Sequence, residues 1–557
     1  MDNLKVQDSF KFEEDQLMEE ISRWEHSDAE KGQIYTRPEV VEFMLTAAGL
    51  DEEIDLNKIR ILEPSCGEGE FVIAIADRLI KNADQRPTKD QLMDKILAVD
   101  LVGASITVAK SKVRKLLADY NYTKNEIQKI LSNWFLTTDF LLEEIEANFT
   151  HVVGNPPYVR VENIPRRLLT EYRNIFSTMN DRADLYIPFY EKSLSLLVDN
   201  GTLSFICTDR WIKNTYGRSL RRFVSDDYSL ELFIDLYGID AFERNVMTYP
   251  AITQIRKSKD NETAVLHETS FTKTEAQEIR KAINGKQTNI QLRKGIVNGS
   301  KPWLLGSSDQ IALIRKLEQK FPLLEETGCK VYIGAATGAN KIYVVSKDNV
   351  DIEESRLLPV ITAHELKSGS IQWRKKHLIS TYDNDGVICL NDFPKLARYL
   401  NSHKEALSKR HVAKQNTSKW FKTIDRVYKE RAASKKLLIP DISNEPIVIY
   451  DHGIYHPNNS IYYICSNNWN LHALRVVLLS NITKVFISSY STKIAHGYLR
   501  FQAQHLRKLR VPLWDSIDPA LQQKMIDAGK STDVSSFTSL TCRMYKLNKI
   551  ERAVVGD

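Results

Sequence analysis

Several features that would assign a protein to a class at once are scarce or absent in this sequence. The six cysteines are scattered through 557 residues, and none forms a Cys-X-X-Cys pair. This pattern argues against a disulfide framework and a zinc site, so we predict a reducing compartment and no bound metal. The sequence contains no run of about 18 apolar residues, and no basic segment followed by an apolar one stands near its start. We therefore predict neither a membrane-spanning helix nor a secretory signal.

Charge is unevenly distributed along the chain. The net charge of +5 is too small by itself to indicate a nucleic-acid partner. Residues 11–30 contain eight acids and two bases, whereas residues 401–440 contain eleven bases and three acids. Residues 491–510 contain five bases and no acid. A basic C-terminal half suits a polyanionic partner, although a solvated face of salt bridges would have the same composition.

The first half of the chain alternates short apolar runs with helical patterns. Residues 33–50 predict a turn followed by an amphipathic helix, with Pro38 in its first turn. Further helices are predicted at 71–80 and 186–198. The strand-like segments are 59–62, 95–101, 133–140, 150–154, 201–208, 230–237 and 251–257. This order predicts an α/β fold with a mostly parallel sheet covered on both faces, and such sheets bind ligands at the carboxyl ends of their strands.

The segment ILEPSCGEGEF joins the first predicted strand to the first helix that follows it. Gly67 and Gly69 allow a tight turn and a close approach of the backbone to a ligand. No Gly-Lys-Ser/Thr follows, so this is not a Walker loop. Three acids, Glu63, Glu68 and Glu70, surround the glycines. They would repel a pyrophosphate, which favours a positively charged amino-acid ligand over ATP or NAD.

Acids also end the next two predicted strands. Asp100 ends the second strand, where a carboxylate can accept hydrogen bonds from ribose hydroxyls. Asp139 and Phe140 end the third strand, where an acid and an aromatic ring can bind an adenine. One surface aspartate after a strand is common, but acids at three successive strand–helix junctions point to one nucleoside-like ligand.

The fourth predicted strand runs into the sequence Asn155-Pro156-Pro157-Tyr158. Because the two prolines fix their φ angles, the turn is rigid and cannot be helical. The Asn155 side chain and the Pro156 carbonyl can then act as two fixed acceptors, and Tyr158 offers a flat surface. Such a site suits an exocyclic amine, whose lone pair two acceptors would free for methylation. A rigid turn with no chemical role is the alternative.

The segments EPSCGEGEF and NPPY together resemble those of the gamma class of N6-adenine DNA methyltransferases, the TaqI-like enzymes of restriction–modification type. The resemblance extends through 184–212 and through 241–257, which contains Phe242. It includes an earlier segment that usually reads Thr-Pro-Pro or Thr-Pro. Here that segment reads Thr36-Arg37-Pro38, so Arg37 departs from the pattern. Weaker similarity to a target-recognition domain lies in the second half, at 331–345, 357–367 and 497–513.

The resemblance implies a cofactor, S-adenosyl-L-methionine, and a set of residues around it. The implied cofactor residues are Thr36, Glu63, Ser65, Gly67, Asp100, Leu101, Asp139, Phe140 and Asn155. The implied catalytic residues around the target amine are Asn155, Pro156, Pro157, Tyr158 and Phe242. Phe242 matches the aromatic residue that stacks on a base flipped out of the duplex, a step that costs a few kcal/mol.

The resemblance also implies double-stranded DNA as the partner. The candidate DNA-binding residues in the basic half are Lys414, Lys419, Trp420, Lys422, Arg426, Arg500, Gln502 and Arg507. A structural role for each of the last three is equally compatible with the sequence. We expect a monomer in the prokaryotic cytoplasm, associated with the nucleoid and with a separate cognate restriction endonuclease as a possible partner. The alternatives are an N-methyltransferase for RNA or protein glutamine, a nuclease–methyltransferase fusion, and a non-catalytic DNA-binding subunit.

The length is compatible with three to four domain-sized units, or with one large domain and a second. We predict a Rossmann-like class I methyltransferase domain followed by a mixed α/β target-recognition domain. The predicted boundaries are an N-terminal helical segment at 1–31, the catalytic domain at 32–257, a connecting region at 258–325, the target-recognition domain at 326–515 and a helical tail at 516–557.

Overall fold

A computed structural model describes most of the chain. The described residues are 35–51, 54–83, 85–236, 239–242, 250–260, 262–267, 269–443, 446–491 and 499–557. The helical segment predicted at 1–31 lies outside them. The chain divides into two compact units, the first ending at Ser308 and the second beginning at Asp309.

The first unit contains a nine-stranded sheet. Its strands are β1 (Ile61–Glu63), β2 (Ile96–Asp100), β3 (Phe135–Thr137), β4 (Phe149–Gly154), β5 (Leu197–Thr208), β6 (Ser229–Asp235), β7 (Pro250–Arg256), β8 (Glu262–Leu266) and β9 (Leu292–Lys294). They lie in the order β3-β2-β1-β4-β5-β7-β6-β8-β9. The pairs from β3 to β5 are parallel, β7 is antiparallel to both its neighbours, β6 and β8 are parallel, and β9 is antiparallel to β8. The predicted mostly parallel sheet is therefore confirmed.

Helices follow or flank these strands. They are α1 (Pro38–Ala47), α2 (Glu70–Lys81), α3 (Lys89–Leu92), α4 (Gly103–Asp119), α5 (Lys124–Trp134), α6 (Arg166–Ile175), α7 (Tyr186–Ser195), α8 (Arg210–Lys213), α9 (Arg218–Asp227) and α10 (Lys273–Ile283). Residues 201–208 of β5 are all buried, and because side chains alternate along a strand, both faces of the sheet are covered there. Helix α2 buries Phe71, Ile75 and Leu79 on one side, as its helical spacing predicts.

The structure differs from the sequence expectation between residues 258 and 325. Strands β8 and β9 extend the sheet, and α10 packs against α1. Residues 258–308 belong to the first unit and residues 309–325 to the second. The sequence pattern did not predict these two strands because both are short. Strand β9 has three residues, none of them buried, and strand β8 has five, of which only the central three are buried. The predicted strand at 133–140 also shortens, because α5 continues to Trp134.

The second unit is mixed α/β, as predicted. Its strands are β10 (Cys329–Ile333), β11 (Val344–Ser346), β12 (Leu357–Ile361), β13 (Lys376–Ile379), β14 (Tyr382–Asp383), β15 (Gly386–Val387), β16 (Lys436–Pro440), β17 (Ile442–Ser443), β18 (Ile449–Asp451), β19 (His456–Pro457), β20 (Ile461–Ser466) and β21 (Leu499–Arg500). Two four-stranded sheets have the orders β10-β20-β16-β18 and β11-β13-β12-β19. The sheet β11-β13-β12-β19 contributes to an apolar core that includes Tyr343 and Leu396. The sheet β10-β20-β16-β18 contributes to a second core, which includes Leu438 and Ile461.

Helices complete the second unit. They are α11 (Ser308–Lys320), α12 (Asn340–Tyr343), α13 (Pro394–Ser402), α14 (Lys404–Ser408), α15 (His411–Lys414), α16 (Lys429–Ala433), α17 (Leu471–Leu479), α18 (Asn481–Tyr490), α19 (Ala503–Leu506), α20 (Pro519–Lys530), α21 (Phe537–Met544) and α22 (Lys549–Val554). Helix α17 packs against α20 and α21 of the C-terminal segment. Among the described residues, no single helix has the length and apolarity to cross a membrane; α17 and α18 meet that criterion only as a pair bent by 64°.

Candidate active site

A cleft in the first unit lies at the carboxyl ends of β1, β2 and β4, where parallel sheets bind ligands. The cleft is partly open to solvent, and the space in it, open solvent included, is about 1040 Å³. All nine residues predicted to hold the cofactor line it: Thr36, Glu63, Ser65, Gly67, Asp100, Leu101, Asp139, Phe140 and Asn155. The strand-end residues of one predicted ligand site therefore lie together in one cleft.

The glycine-containing turn is shaped by its backbone. Gly67 and Gly69 have φ angles of 51° and 93°, in the left-handed region that favours glycine. A Cβ on Gly69 would lie 3.0 Å from the Cβ of Ala109, so this position also needs glycine for close packing on α4. Asp100 accepts hydrogen bonds from the backbone N–H groups of Gly67 and Val102, both at 2.8 Å. The acid predicted to bind ribose thus also holds the turn in place.

Glu63 is buried at the end of β1, with 2% of its surface exposed. Its Oε2 is buried and has no hydrogen-bond partner within the described part of the chain. Burial raises the pKa of this carboxyl well above its ordinary value, and the nearby charges of Glu70 and Asp100 raise it further. A buried acid with one unpartnered oxygen, in an acidic surrounding, is suited to a cationic group. The amino group of S-adenosylmethionine fits this requirement.

The other two acids of the turn have partners of their own. Lys112 lies 3.3 Å from Glu68 and 3.4 Å from Glu70, and the Tyr35 hydroxyl donates to Glu68 at 3.1 Å. Glu70 also lines the cleft. Lys112 therefore offsets part of the negative charge. The sequence did not identify Tyr35 or Lys112, because they stand 33 and 44 residues along the chain from Glu68, which both contact.

Asp139 and Phe140 form the far end of the cleft. Asp139 accepts hydrogen bonds from the Tyr172 hydroxyl at 2.6 Å and the Leu141 N–H at 2.8 Å, and burial raises its pKa. The Phe140 ring lies 5.2 Å from the ring of Phe189. Tyr172 and Phe189 line the cleft but were missed. Their positions on α6 and α7 give them the same pattern as ordinary core residues.

Asn155 ties three separate segments together. The Ser65 hydroxyl donates to the Asn155 carbonyl at 3.0 Å, and the Asn155 side-chain Nδ2 donates to Thr36 Oγ1 at 3.3 Å. Pro157 lines the cleft, and Pro156, which does not line it, is buried. The Tyr158 hydroxyl donates to the Ile206 carbonyl at 3.2 Å, which anchors the ring to β5. The rigid turn predicted from the two prolines therefore lies at the rim of the cofactor cleft.

Phe242 lies beside Tyr158, but the two rings are not parallel. The two ring centroids are 6.5 Å apart and the rings meet edge to face, at 76°. Phe242 is 4% exposed and joins Thr36 in an isolated antiparallel bridge. A base stacked on Tyr158 would meet the edge of Phe242 in this arrangement, and stacking on both rings would require the Phe242 ring to turn. Residues 243–249 of the predicted segment 241–257 lie outside the described residues.

The candidate DNA-binding residues of the second unit divide into two groups. Lys414 and Lys419 are exposed, and Trp420 and Lys422 are partly exposed. The side chains of Arg426, Gln502 and Arg507 contact their own unit. Arg426 donates to the carbonyls of Asp383 and Asn384 at 3.1 and 2.6 Å.

The last three candidates flank α19 in the sequence. Arg507 donates to the Val331 carbonyl at 2.7 Å and lies 3.4 Å from Glu325, so part of its guanidinium has a structural role. Gln502 accepts from Gln504 at 2.8 Å. Arg500 lies on β21, and its side chain lies outside the described set.

Comparisons with known proteins agree with this arrangement. Residues 77–242 match the family model of the Eco57I restriction-modification methylase, and residues 358–511 match that of the TaqI-like C-terminal specificity domain. The chain is 41% identical over 541 residues to the Type II methyltransferase M.XhoI of Xanthomonas vasicola, covering 95% of this chain and 99% of that protein. It is 40% identical to the Type II methyltransferase M.PaeR7I of Pseudomonas aeruginosa, covering 94% and 93%.

Among solved structures, the Type IIL restriction-modification enzyme MmeI in complex with DNA has a TM-score of 0.57 at 11% identity, covering 90% of this chain and 70% of that one. That likeness concerns the fold alone. The likeness to restriction-modification methyltransferases identifies the chain as a methyltransferase whose cofactor is S-adenosylmethionine. On the strength of its near-full-length relatives, the chain belongs to the Type II methyltransferases, the DNA methyltransferases of restriction–modification systems.

Proposed function

We propose that this enzyme transfers a methyl group to the N6 amine of an adenine flipped out of double-stranded DNA, as the modification enzyme of a restriction–modification system. The proposal depends mainly on the position of Asn155, which hydrogen bonds with Ser65 and Thr36 hold at the rim of the cofactor cleft. Adenine rather than cytosine follows from the motif order of the gamma class. A separate endonuclease as partner, a monomeric state and a location in the cytoplasm with the nucleoid belong to the same proposal.

The cleft residues have separate tasks in binding the cofactor. When bound, S-adenosylmethionine supplies an activated methyl group. Glu63 holds the amino end, because its buried oxygen has no partner in the described chain. Asp100 offers its carboxylate to ribose hydroxyls, and Phe140 offers its ring to the adenine of the cofactor.

Asn155 and Pro156 prepare the target amine. The hydrogen bond from Asn155 Nδ2 to Thr36 leaves the amide oxygen as the acceptor on the opposite edge of that side chain. The Pro156 carbonyl is the second acceptor, and the following Pro157 keeps it in a fixed orientation. Two acceptors on the two amine hydrogens draw the nitrogen lone pair out of the ring. They also offset the positive charge that develops as the methyl group arrives.

Tyr158 and Phe242 receive the extruded base. Tyr158 is fixed through its hydroxyl, and Phe242 turns from its edge-on position to enclose the other face. Stacking returns roughly 1–3 kcal/mol per base, which offsets part of the cost of flipping. The basic surface of the second unit contributes contacts to DNA phosphates, which are independent of sequence.

The test is transfer of tritium from methyl-labelled S-adenosylmethionine to duplex DNA, RNA and protein in parallel. Single-molecule sequencing of DNA from cells that express the enzyme then identifies the base and the site. We expect label in duplex DNA and N6-methyladenine in one short sequence. Label in RNA or protein alone, or a mark on cytosine, would overturn the proposal.

A further inference from the structure

Arg37 is the residue by which this chain departs from the family pattern, and its contacts lead to the segment that carries Phe242. Its backbone N–H donates to the Ala241 carbonyl at 3.2 Å, and its Nε donates to the Phe242 carbonyl at 3.2 Å. Its guanidinium also pairs with Asp240. A proline, which the family pattern favours here, has neither an N–H nor a guanidinium and can make none of these bonds.

We infer that Arg37 is a positioning residue for the target base, because it fixes the backbone of Phe242 against the segment that orients Asn155. This rests on the proposed function of Asn155 and Phe242. The neighbour of Arg37, Thr36, forms the antiparallel bridge with Phe242 and accepts the hydrogen bond from Asn155. The groups on the two sides of the target site are thus connected through residues 36 and 37.

The contacts of Arg37 allow the motion that the base site requires. All of its bonds to residues 241 and 242 end on carbonyl oxygens, not on the Phe242 ring. They hold the Cα of Phe242 in place and leave χ1 and χ2 to turn the ring from its edge-on contact with Tyr158. Without these bonds the backbone at Phe242 would be less ordered, and so would the position of the ring that contacts the base.

The Nε bond to the Phe242 carbonyl, rather than the pair with Asp240, carries the effect of the side chain, since the backbone N–H bond to Ala241 remains in any Arg37 variant other than proline. The side chains of Arg37 and Asp240 are 36% and 61% exposed, and exposed ion pairs contribute little. Hydrogen bonds from a charged donor are stronger than neutral ones. We therefore expect Asp240→Asn to behave almost as wild type and Arg37→Ala to be impaired, with Arg37→Lys between them.

The experiment places 2-aminopurine at the target position of duplex DNA and measures its emission on binding, together with kcat and the KM for S-adenosylmethionine. In Arg37→Ala we expect the emission increase and kcat to fall about tenfold, as for loss of one charged hydrogen bond. The KM for the cofactor should stay within about twofold, because the Arg37 side chain contacts the Phe242 segment and does not line the cleft.

Arg78→Ala is the matched control. Arg78 donates to the Glu42 carbonyl at 2.8 Å and to Thr46 Oγ1 at 3.0 Å, so it also secures α1, but on the helix rather than at the Phe242 segment. We expect this variant to lose thermal stability while its emission increase stays normal. An equal loss of emission in both variants, or none in Arg37→Ala, would overturn the inference alone. A wild-type enzyme that neither raises the emission nor methylates adenine would overturn the proposed function.

Discussion

The Asn155 side chain donates a hydrogen bond to Thr36 Oγ1 over 3.3 Å, across 119 residues of sequence. Thr36 lines the cofactor cleft, and Asn155 stands at the rim of the same cleft. This bond orients the Asn155 amide, whose oxygen is proposed to accept a hydrogen bond from the target amine. If these roles are correct, the proposed cofactor and substrate groups share one anchoring contact.

Replacing Asn155 with alanine should abolish methyl transfer and leave cofactor affinity within about tenfold. The substitution removes an acceptor that acts mainly in the transition state, while Glu63 and Asp100 remain in the cleft. Tritium transfer to DNA and equilibrium binding of S-adenosylmethionine measure the two effects separately. Thr36→Val, which keeps the amide but removes its anchor, should have intermediate activity. Normal activity in the alanine variant would refute the role of Asn155.

Binding of the cofactor should release a proton from Glu63. Burial holds the pKa of this carboxyl well above its ordinary value of 4.5, and pairing with a cationic amine lowers it again. Cofactor affinity should therefore rise with pH until Glu63 is ionised in the free enzyme, and then level off. Calorimetry with S-adenosylhomocysteine in two buffers of different ionisation enthalpy measures the release. Glu63→Gln should bind more weakly and without this release; unchanged proton release would contradict the assignment.

The buried ion pair between Lys436 and Asp451 should be essential to the second unit. Its atoms are 2.6 Å apart, and the two side chains are 0% and 1% exposed. Asp451 also accepts backbone N–H bonds from Ile454 and Tyr455. Lys436→Met leaves a buried charge without its partner, so the free energy of unfolding should fall by about 3–5 kcal/mol. Hydrogen exchange in β16 and β18 measures this locally, and the exposed Lys81→Met serves as the control with a change below about 1 kcal/mol.

The catalytic unit was readable from sequence because its ligand residues follow strands. A buried parallel strand is a continuous apolar run, and the polar residues at or directly after its end, such as Glu63, Asp100 and Asn155, meet at one edge of the sheet. The same logic could not find Tyr172 or Phe189. Both lie on helices, where a residue that faces a cleft has the same spacing as one that faces the core.

The second unit was less readable for a physical reason. Its strands are short, several of two or three residues, and give no long alternating pattern. Charge also proved ambiguous there. The sequence places Arg426 and Arg507 in basic stretches, but only the fold shows that both donate to carbonyls of their own unit. Arg37 is the opposite case. The sequence indicated no role for this departure from the family motif, whereas the contacts of its side chain suggest one.

Acid should weaken the second unit through His456. This imidazole is buried, its Nδ1 bonds to the Pro457 carbonyl, and burial lowers its pKa to about 4 from 6.5. The folded state therefore holds His456 neutral, while the unfolded chain takes up a proton below pH 6.5. Its contribution is present above that pH and is lost as the pH falls towards 4, by up to about 3 kcal/mol. Urea unfolding between these pH values should show a flatter dependence in His456→Gln than in wild type; equal slopes would refute this.

Replacing Lys414, Lys419 and Lys422 together with glutamine should weaken DNA binding and flatten its dependence on salt. Each phosphate that a lysine neutralises contributes about 0.9 to the slope of log K against log salt, so the slope should fall by about three units. Lys414 and Lys419 are exposed and Lys422 is partly exposed, so removal of their charges should leave the fold unchanged. The control variant changes three exposed lysines outside that stretch: Lys301, Lys524 and Lys549. If the control lowers the slope equally, or the first variant leaves it unaltered, the DNA lies elsewhere on the protein.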